Sequence, residues 1–338
     1  MKTNLHHQYE YWIDVMRSFA CIMVLFCHSP QPYINQPGQI LMGINNYYGM
    51  AWGPVLFFMI SGACILGKDQ QAIPFLKRRF SRVLFPTILW SIIYIFMECY
   101  VWRTIPSTEF TYRFWRIPFA PQYGSLWFMY VLIAIYLMAP ILTSWLLKCT
   151  KKELELYLGL WGITLFLPYL ELVDNNVNGI IWRNGMFFYL SGFLWVAVLG
   201  YYCRFHMKSF HFSFLNILIC LFILMSPLYI YCIKSATGKT ILSSTSIDSI
   251  ATTTLAFIII KKIKWGVFCQ KQIKTIAKYS FGIYLSHMLF MYPFCRWIAQ
   301  FNLHYAIQIP ITAISVGVCA LVFSIILSKL PFGKYLIG

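Results

Sequence analysis

The chain is 338 residues long, 59% hydrophobic and only 11% charged, with a mean hydropathy of +0.65. Soluble domains carry about 25% charged residues, so this composition excludes a soluble globular domain and reads as a membrane protein. The net charge of +17 does not mark a nucleic-acid binder, because a basic protein this apolar keeps its cations at one membrane face, against anionic headgroups.

The first apolar run, Tyr11–Tyr33, is interrupted by Asp14 and Arg17 and ends in His28-Ser29-Pro30. It has no small-residue cleavage site, so it reads as a retained helix and not as a removable leader. Nine further runs follow: Tyr48–Leu66, Val83–Val101, Leu126–Leu147, Leu154–Leu172, Ile180–Gly200, Phe214–Ile233, Ser246–Ile260, Phe281–Phe301 and Ile309–Leu327. Each is taken as a crossing of a ~30 Å hydrocarbon layer. The expected fold is all-α: a polytopic membrane helix bundle of about ten transmembrane helices, one domain over residues 1–338.

Charge orients the bundle. One set of connections holds Lys68, Lys77, Arg78, Arg79, Arg82, Lys148, Lys151, Lys152, Arg204, Lys208, Lys261, Lys262, Lys264, Lys271, Lys274 and Lys278. With Lys2, Lys329 and Lys334 this side carries 19 basic residues, against seven (Arg103, Arg113, Arg116, Arg183, Lys234, Lys239 and Arg296) on the other. That asymmetry puts both termini in the cytoplasm and requires an even number of spans.

The eleven cysteines show no CxxC pair, and Cys21, Cys27, Cys64, Cys220 and Cys319 sit inside apolar runs as small core residues. The seven histidines include no pair at ligand spacing with a carboxylate, so no metal is expected. Without a Gly-rich phosphate loop, nucleotide hydrolysis is not expected either.

Ionisable residues inside a span are costly and point to function. At ~100° per residue, Arg17 and His28 fall within about 20° of each other on the first helix, and Asp14 within about 60° of Arg17. The three share one face, with His28 about 16 Å along the axis from Arg17 at ~1.5 Å per residue. Asp14 can hold Arg17, and His28 is the natural proton acceptor. The same pattern also suits an arginine that snorkels to the headgroups and a hydrogen-bonded structural histidine.

Five segments in order resemble the integral-membrane acyltransferase-3 family. Arg17 and His28 match its first-helix basic residue, ten residues, then histidine, with Asp14 three before. Leu56-Phe57-Phe58-Met59-Ile60-Ser61-Gly62 is similar to its second-helix segment, and Lys77-Arg78-Arg79-Phe80-Ser81-Arg82 to its Arg-x-x-Arg approach to the third helix. Leu126-Trp127-Phe128-Met129 with Tyr136-Leu137-Met138-Ala139-Pro140 is similar to the fourth, and Ser280-Phe281-Gly282-Ile283-Tyr284-Leu285-Ser286-His287 to a late one.

The resemblance implies an O-acyltransferase of the bacterial inner membrane, moving an acyl group, acetyl first, from cytoplasmic acyl-coenzyme A to a carbohydrate or lipid-linked surface-polysaccharide hydroxyl. His28 would act as general base or acyl relay, Arg17 would stabilise developing charge, and Asp14 would hold Arg17. Arg79 and Arg82, one turn apart and aided by Arg78 and Lys77, would dock the polyanionic donor; the same cluster also serves as a positive-inside anchor. Ser280, Tyr284 and His287, at i, i+4 and i+7, form a second polar stripe for substrate contact or interhelical hydrogen bonding. Trp127 is a candidate cavity-lining contact, and Glu98 a buried acid in search of an arginine. Arg113-Phe114-Trp115-Arg116 and Asp174-Asn175-Asn176-Val177-Asn178 face outward as a sugar-binding surface or an aromatic belt. A glycan or solute transporter or flippase is the alternative class; the inverted repeats it would favour are not found in this sequence.

Overall fold

The computed structural model describes residues 10–29, 45, 47–68, 71–170, 185–207, 220–221, 223–226, 228, 244–266, 269–301 and 303–337. Among these there are helices and turns and no strand. Among the described residues five segments are long and apolar enough to cross a membrane: Tyr11–His28, Tyr47–Ile65, Ala72–Val101, Gly124–Leu146 and Tyr305–Ser328. The expected seventh span, Phe214–Ile233, and the Asp174–Asn178 loop lie largely or wholly outside the described residues.

Helix α1 (Tyr11–His28) stops five residues short of its apolar run. Ser29 Oγ donates to the carbonyls of Leu25 and Phe26 at 2.9 and 3.0 Å, and Pro30 has no N–H with which to continue. The second span starts as α-helix at Tyr47, passes through a π-helical segment, Ala51–Val55, around Pro54 and continues as α2 (Leu56–Ile65). The hydroxyl of Thr253 donates to the Ala51 carbonyl at 2.9 Å, satisfying an acceptor in the widened turn.

Helix α3 (Ala72–Phe96, prolonged as a π-helical segment to Val101) starts eleven residues before its apolar run, and α9 (Gln270–Ile298) starts eleven before Phe281. Hydropathy marks only the part of a helix that meets hydrocarbon. Lys, Arg, Gln and Ala extend it without penalty into the headgroup layer. The basic segment Lys77–Arg82 is therefore helical, and its side chains are distributed around an axis.

Between them lie α4 (Glu109–Arg116), α5 (Trp127–Leu146), α6 (Lys151–Thr164), α7 (Leu194–Phe205) and α8 (Ile247–Lys262). The chain ends with α10 (Tyr305–Ser328) and α11 (Gly333–Ile337). Helix α6 opens with a capping box: Glu153 N–H donates to Thr150 Oγ1 at 3.2 Å, and Thr150 N–H to the Glu153 carboxylate at 2.6 Å. These bonds to Thr150 hold the Glu153 carboxyl below its ordinary range.

Helix α1 packs against α9, α10 and the π-helical segment, α2 against α7, and α9 along α10. Two glycines make the α2–α7 crossing possible. A Cβ on Gly62 would drive into the carbonyl oxygen of Ala197, and one on Gly200 into that of Met59. Gly62→Val is expected to destabilise the protein by about 3 kcal/mol, because the obstacle is backbone and cannot rotate away. A thermal-unfolding midpoint in detergent within 2 °C of wild type would refute this close-packing account.

One face of the bundle is set by charge. Arg204, at the end of α7, bonds Glu10 at the start of α1 at 2.8 Å and the Ala63 carbonyl of α2 at 2.7 Å. Lys261, at the end of α8, donates to the carbonyls of Cys203 and Arg204, both at 2.7 Å. The start of α1 and the ends of α2, α7 and α8 therefore share one face. Elsewhere Glu98 finds its arginine: Arg113 of α4 bonds it at 2.9 Å. Arg113 thus has a structural partner, whatever else α4 does.

Candidate active site

A cavity of about 240 Å³ lies among α1, α2, α3, α5 and α9. Its wall is formed by Arg17, Phe57, Ser61, Arg79, Arg82, Val83, Phe128, Leu132, Tyr136, Ala277, Lys278, Ser280, Phe281 and Tyr284. Four cations come from three helices, and no carboxylate is among the lining residues. Such a wall concentrates positive potential and favours a polyanionic occupant.

The helical register decides which basic residues reach it. Arg79 and Arg82 are one turn apart on α3 and line the cavity, Arg79 half-buried and Arg82 at its exposed edge, whereas Lys77 and Arg78, also exposed, do not line it. The guanidinium carbon of Arg79 lies 5.6 Å from the ring centroids of both Phe75 and Tyr136. Those rings hold the fork in place before any ligand arrives, lowering the entropy lost on binding. Arg17 projects from α1 onto the same cavity. Asp14, half-buried one turn earlier, is not on the wall.

The polar stripe of α9 divides. Ser280 and Tyr284 line the cavity, while His287 lies beyond it, fully buried, its ring centroid 5.2 Å from that of His28. Ser280 Oγ donates to the Ala277 carbonyl at 2.9 Å, and the Tyr284 hydroxyl donates to the Ser125 carbonyl. His287 Nδ1 lies 2.5 Å from the carbonyl of Tyr284. His28 is half-buried at the end of α1 and is not itself on the wall. Tyr284 connects the two halves, since it lines the cavity and its ring lies 5.7 Å from that of His287.

Trp127 packs against Phe58 and Phe193, at 6.1 and 5.3 Å between centroids, and does not line the cavity. Its neighbour Phe128 does, stacked 4.7 Å from Phe58 and 4.9 Å from Tyr284. Ser61, Tyr136 and Lys278 are further lining residues not singled out from sequence. Each lies within or beside a quoted motif, so proximity to those motifs was the available signal.

The fold and this site define a helical membrane protein with a cationic pocket whose wall leads, through one tyrosine, to a pair of imidazoles, one of them fully buried. A family model described as an acyltransferase domain matches residues 10–329, nearly the whole chain. The protein belongs to that family, the acyltransferase-3 family of membrane acyltransferases. Comparison with curated proteins and with solved structures gave no match.

Proposed function

We propose that this protein is a multi-pass O-acyltransferase of the bacterial inner membrane, with about ten spans and both termini in the cytoplasm. It takes an acyl group, acetyl first, from cytoplasmic acyl-coenzyme A and delivers it to a hydroxyl of a carbohydrate or lipid-linked surface-polysaccharide precursor. The observation that carries this reading is the convergence of Arg17, Arg79, Arg82 and Lys278 on a cavity whose wall continues through Tyr284 toward His28.

Coenzyme A carries phosphates at one end and its thioester at the other, joined by a long flexible arm. Arg79 and Arg82 bind the phosphates as a preset fork. The arm then runs along the α1 face, over the ~16 Å of helical rise from Arg17 to His28. His28 takes the proton of the acceptor hydroxyl as its oxygen attacks the acyl carbon. The carbon–sulfur bond breaks, and the thiolate leaves with the proton from His28, so one ester and one free thiol form per thioester consumed. Arg17 steadies negative charge along the donor, with Asp14 as its support on α1.

The test is release of free thiol by purified protein in nanodiscs, given acetyl-coenzyme A and a panel of free and lipid-linked sugars. Thiol release that depends on one acceptor class supports acyl transfer and names that class. If no acceptor elicits it and acetyl-coenzyme A does not bind, the reading fails in favour of a transporter.

A further inference from the structure

The histidine pair at the end of the site has a feature that acyl transfer by His28 alone does not use. His287 is fully buried and comes from a helix distant in sequence, yet its ring lies 5.2 Å from that of His28. Its Nδ1 sits 2.5 Å from the Tyr284 carbonyl. A carbonyl only accepts, so Nδ1 carries the hydrogen and donates it. In a neutral imidazole, Nε2 then holds a bare lone pair. Among the described residues, that buried Nε2 has no hydrogen-bond partner.

An unpartnered acceptor in a membrane interior is costly and calls for a donor. At 5.2 Å between centroids, the two ring edges can meet through one N–H···N bond of about 3 Å after a modest ring rotation. We infer that His287 is the positioning residue for His28: its Nε2 accepts the N–H of one His28 nitrogen, leaving the other nitrogen's lone pair to face the acceptor hydroxyl. This rests on the acyl-transfer reading above.

The chemistry follows the logic by which a third group orients a catalytic imidazole. Neutral His28 has one N–H and one lone pair, and the partner decides which nitrogen carries which. When His28 takes the hydroxyl proton, its new charge is shared through the same bond to His287. The proton returns from His28 to the departing thiolate, and His287 neither gains nor loses one over the cycle. A neutral acceptor suits this depth, because an aspartate there would bury a full negative charge in the resting state. The backbone carbonyl of Tyr284, on the residue whose side chain lines the cavity, sets the tautomer of His287 and so couples the donor site to the base.

The test compares three forms in nanodiscs: wild type, His287→Phe, which fills the space but cannot accept, and His287→Gln, which keeps an acceptor without an ionisable ring. His287→Phe is expected to lower kcat about 100-fold or more, with the acetyl-coenzyme A dissociation constant within twofold of wild type as the check that the fold is intact. His287→Gln is expected to recover at least tenfold over His287→Phe. In 15N-histidine spectra, His287 of the wild type should be protonated at Nδ1 and accept at Nε2. Turnover by His287→Phe within threefold of wild type, no recovery with His287→Gln, or a hydrogen on Nε2 in the spectra would each overturn the assignment. If the wild type releases no thiol, acyl transfer fails, while the spectra still decide whether His287 accepts from His28.

Discussion

His28→Ala is expected to abolish acceptor-dependent thiol release, with a fall in kcat of at least about 10³-fold, within the range general-base catalysis supplies. The donor site lies along the axis toward Arg17, ~16 Å away at the rise of an α-helix, so binding of acetyl-coenzyme A should be nearly unchanged. This split between kcat and donor affinity distinguishes chemistry from collapse of the bundle. His28 is only half-buried at the last position of α1, and alanine is the best helix former, so the substitution leaves the helix itself intact. Turnover surviving in His28→Ala would leave the enzyme in place and return His28 to a structural role.

The second large effect concerns the donor. Removing both cavity-facing arginines, Arg79→Ala with Arg82→Ala, is expected to raise the KM for acetyl-coenzyme A about 100-fold. Hydrogen bonds to charged groups contribute about 1.5–3 kcal/mol each, and Arg79 is held between Phe75 and Tyr136. The matched control removes two charges from the same helix but off the wall. Lys77→Ala with Arg78→Ala should change KM less than threefold, since neither side chain lines the cavity and charges away from the ligand are screened by solvent and salt. A long-range steering account predicts similar losses in both pairs, so equal effects would refute the docking geometry.

The two pairs also separate what is local from what is not. Four basic residues in six are visible in the sequence, and nothing in that run divides them. Extension of α3 back to Ala72 puts them on a helix, where spacing of one turn selects Arg79 and Arg82 and sends Lys77 and Arg78 outward. The hydropathic run began at Val83, and nothing in its apolar pattern showed that the helix started eleven residues earlier. Trp127 and Phe128 teach the same lesson: adjacent residues lie about 100° apart on a helix, so a motif can be right while the wrong neighbour is chosen. A buried acid such as Glu98 calls for an arginine, but that the arginine is Arg113 depends on where α4 folds back.

The sequence by itself determined the membrane class, the helical fold and the family, and it places Arg17 and His28 within about 20° of each other on an ideal helix. All of these are local: they follow from hydropathy, composition, short motifs and a helical period within a single segment. Tertiary structure alone decided that Gly62 and Gly200 carry the α2–α7 crossing, that four cations from three helices share a cavity, and that His287 stands beside His28. These depend on how each helix is rotated about its axis against partners such as α1 and α9, whose contacting residues Cys21 and Ser280 lie 259 positions apart. That rotation is chosen by packing against the whole bundle, which no single segment encodes.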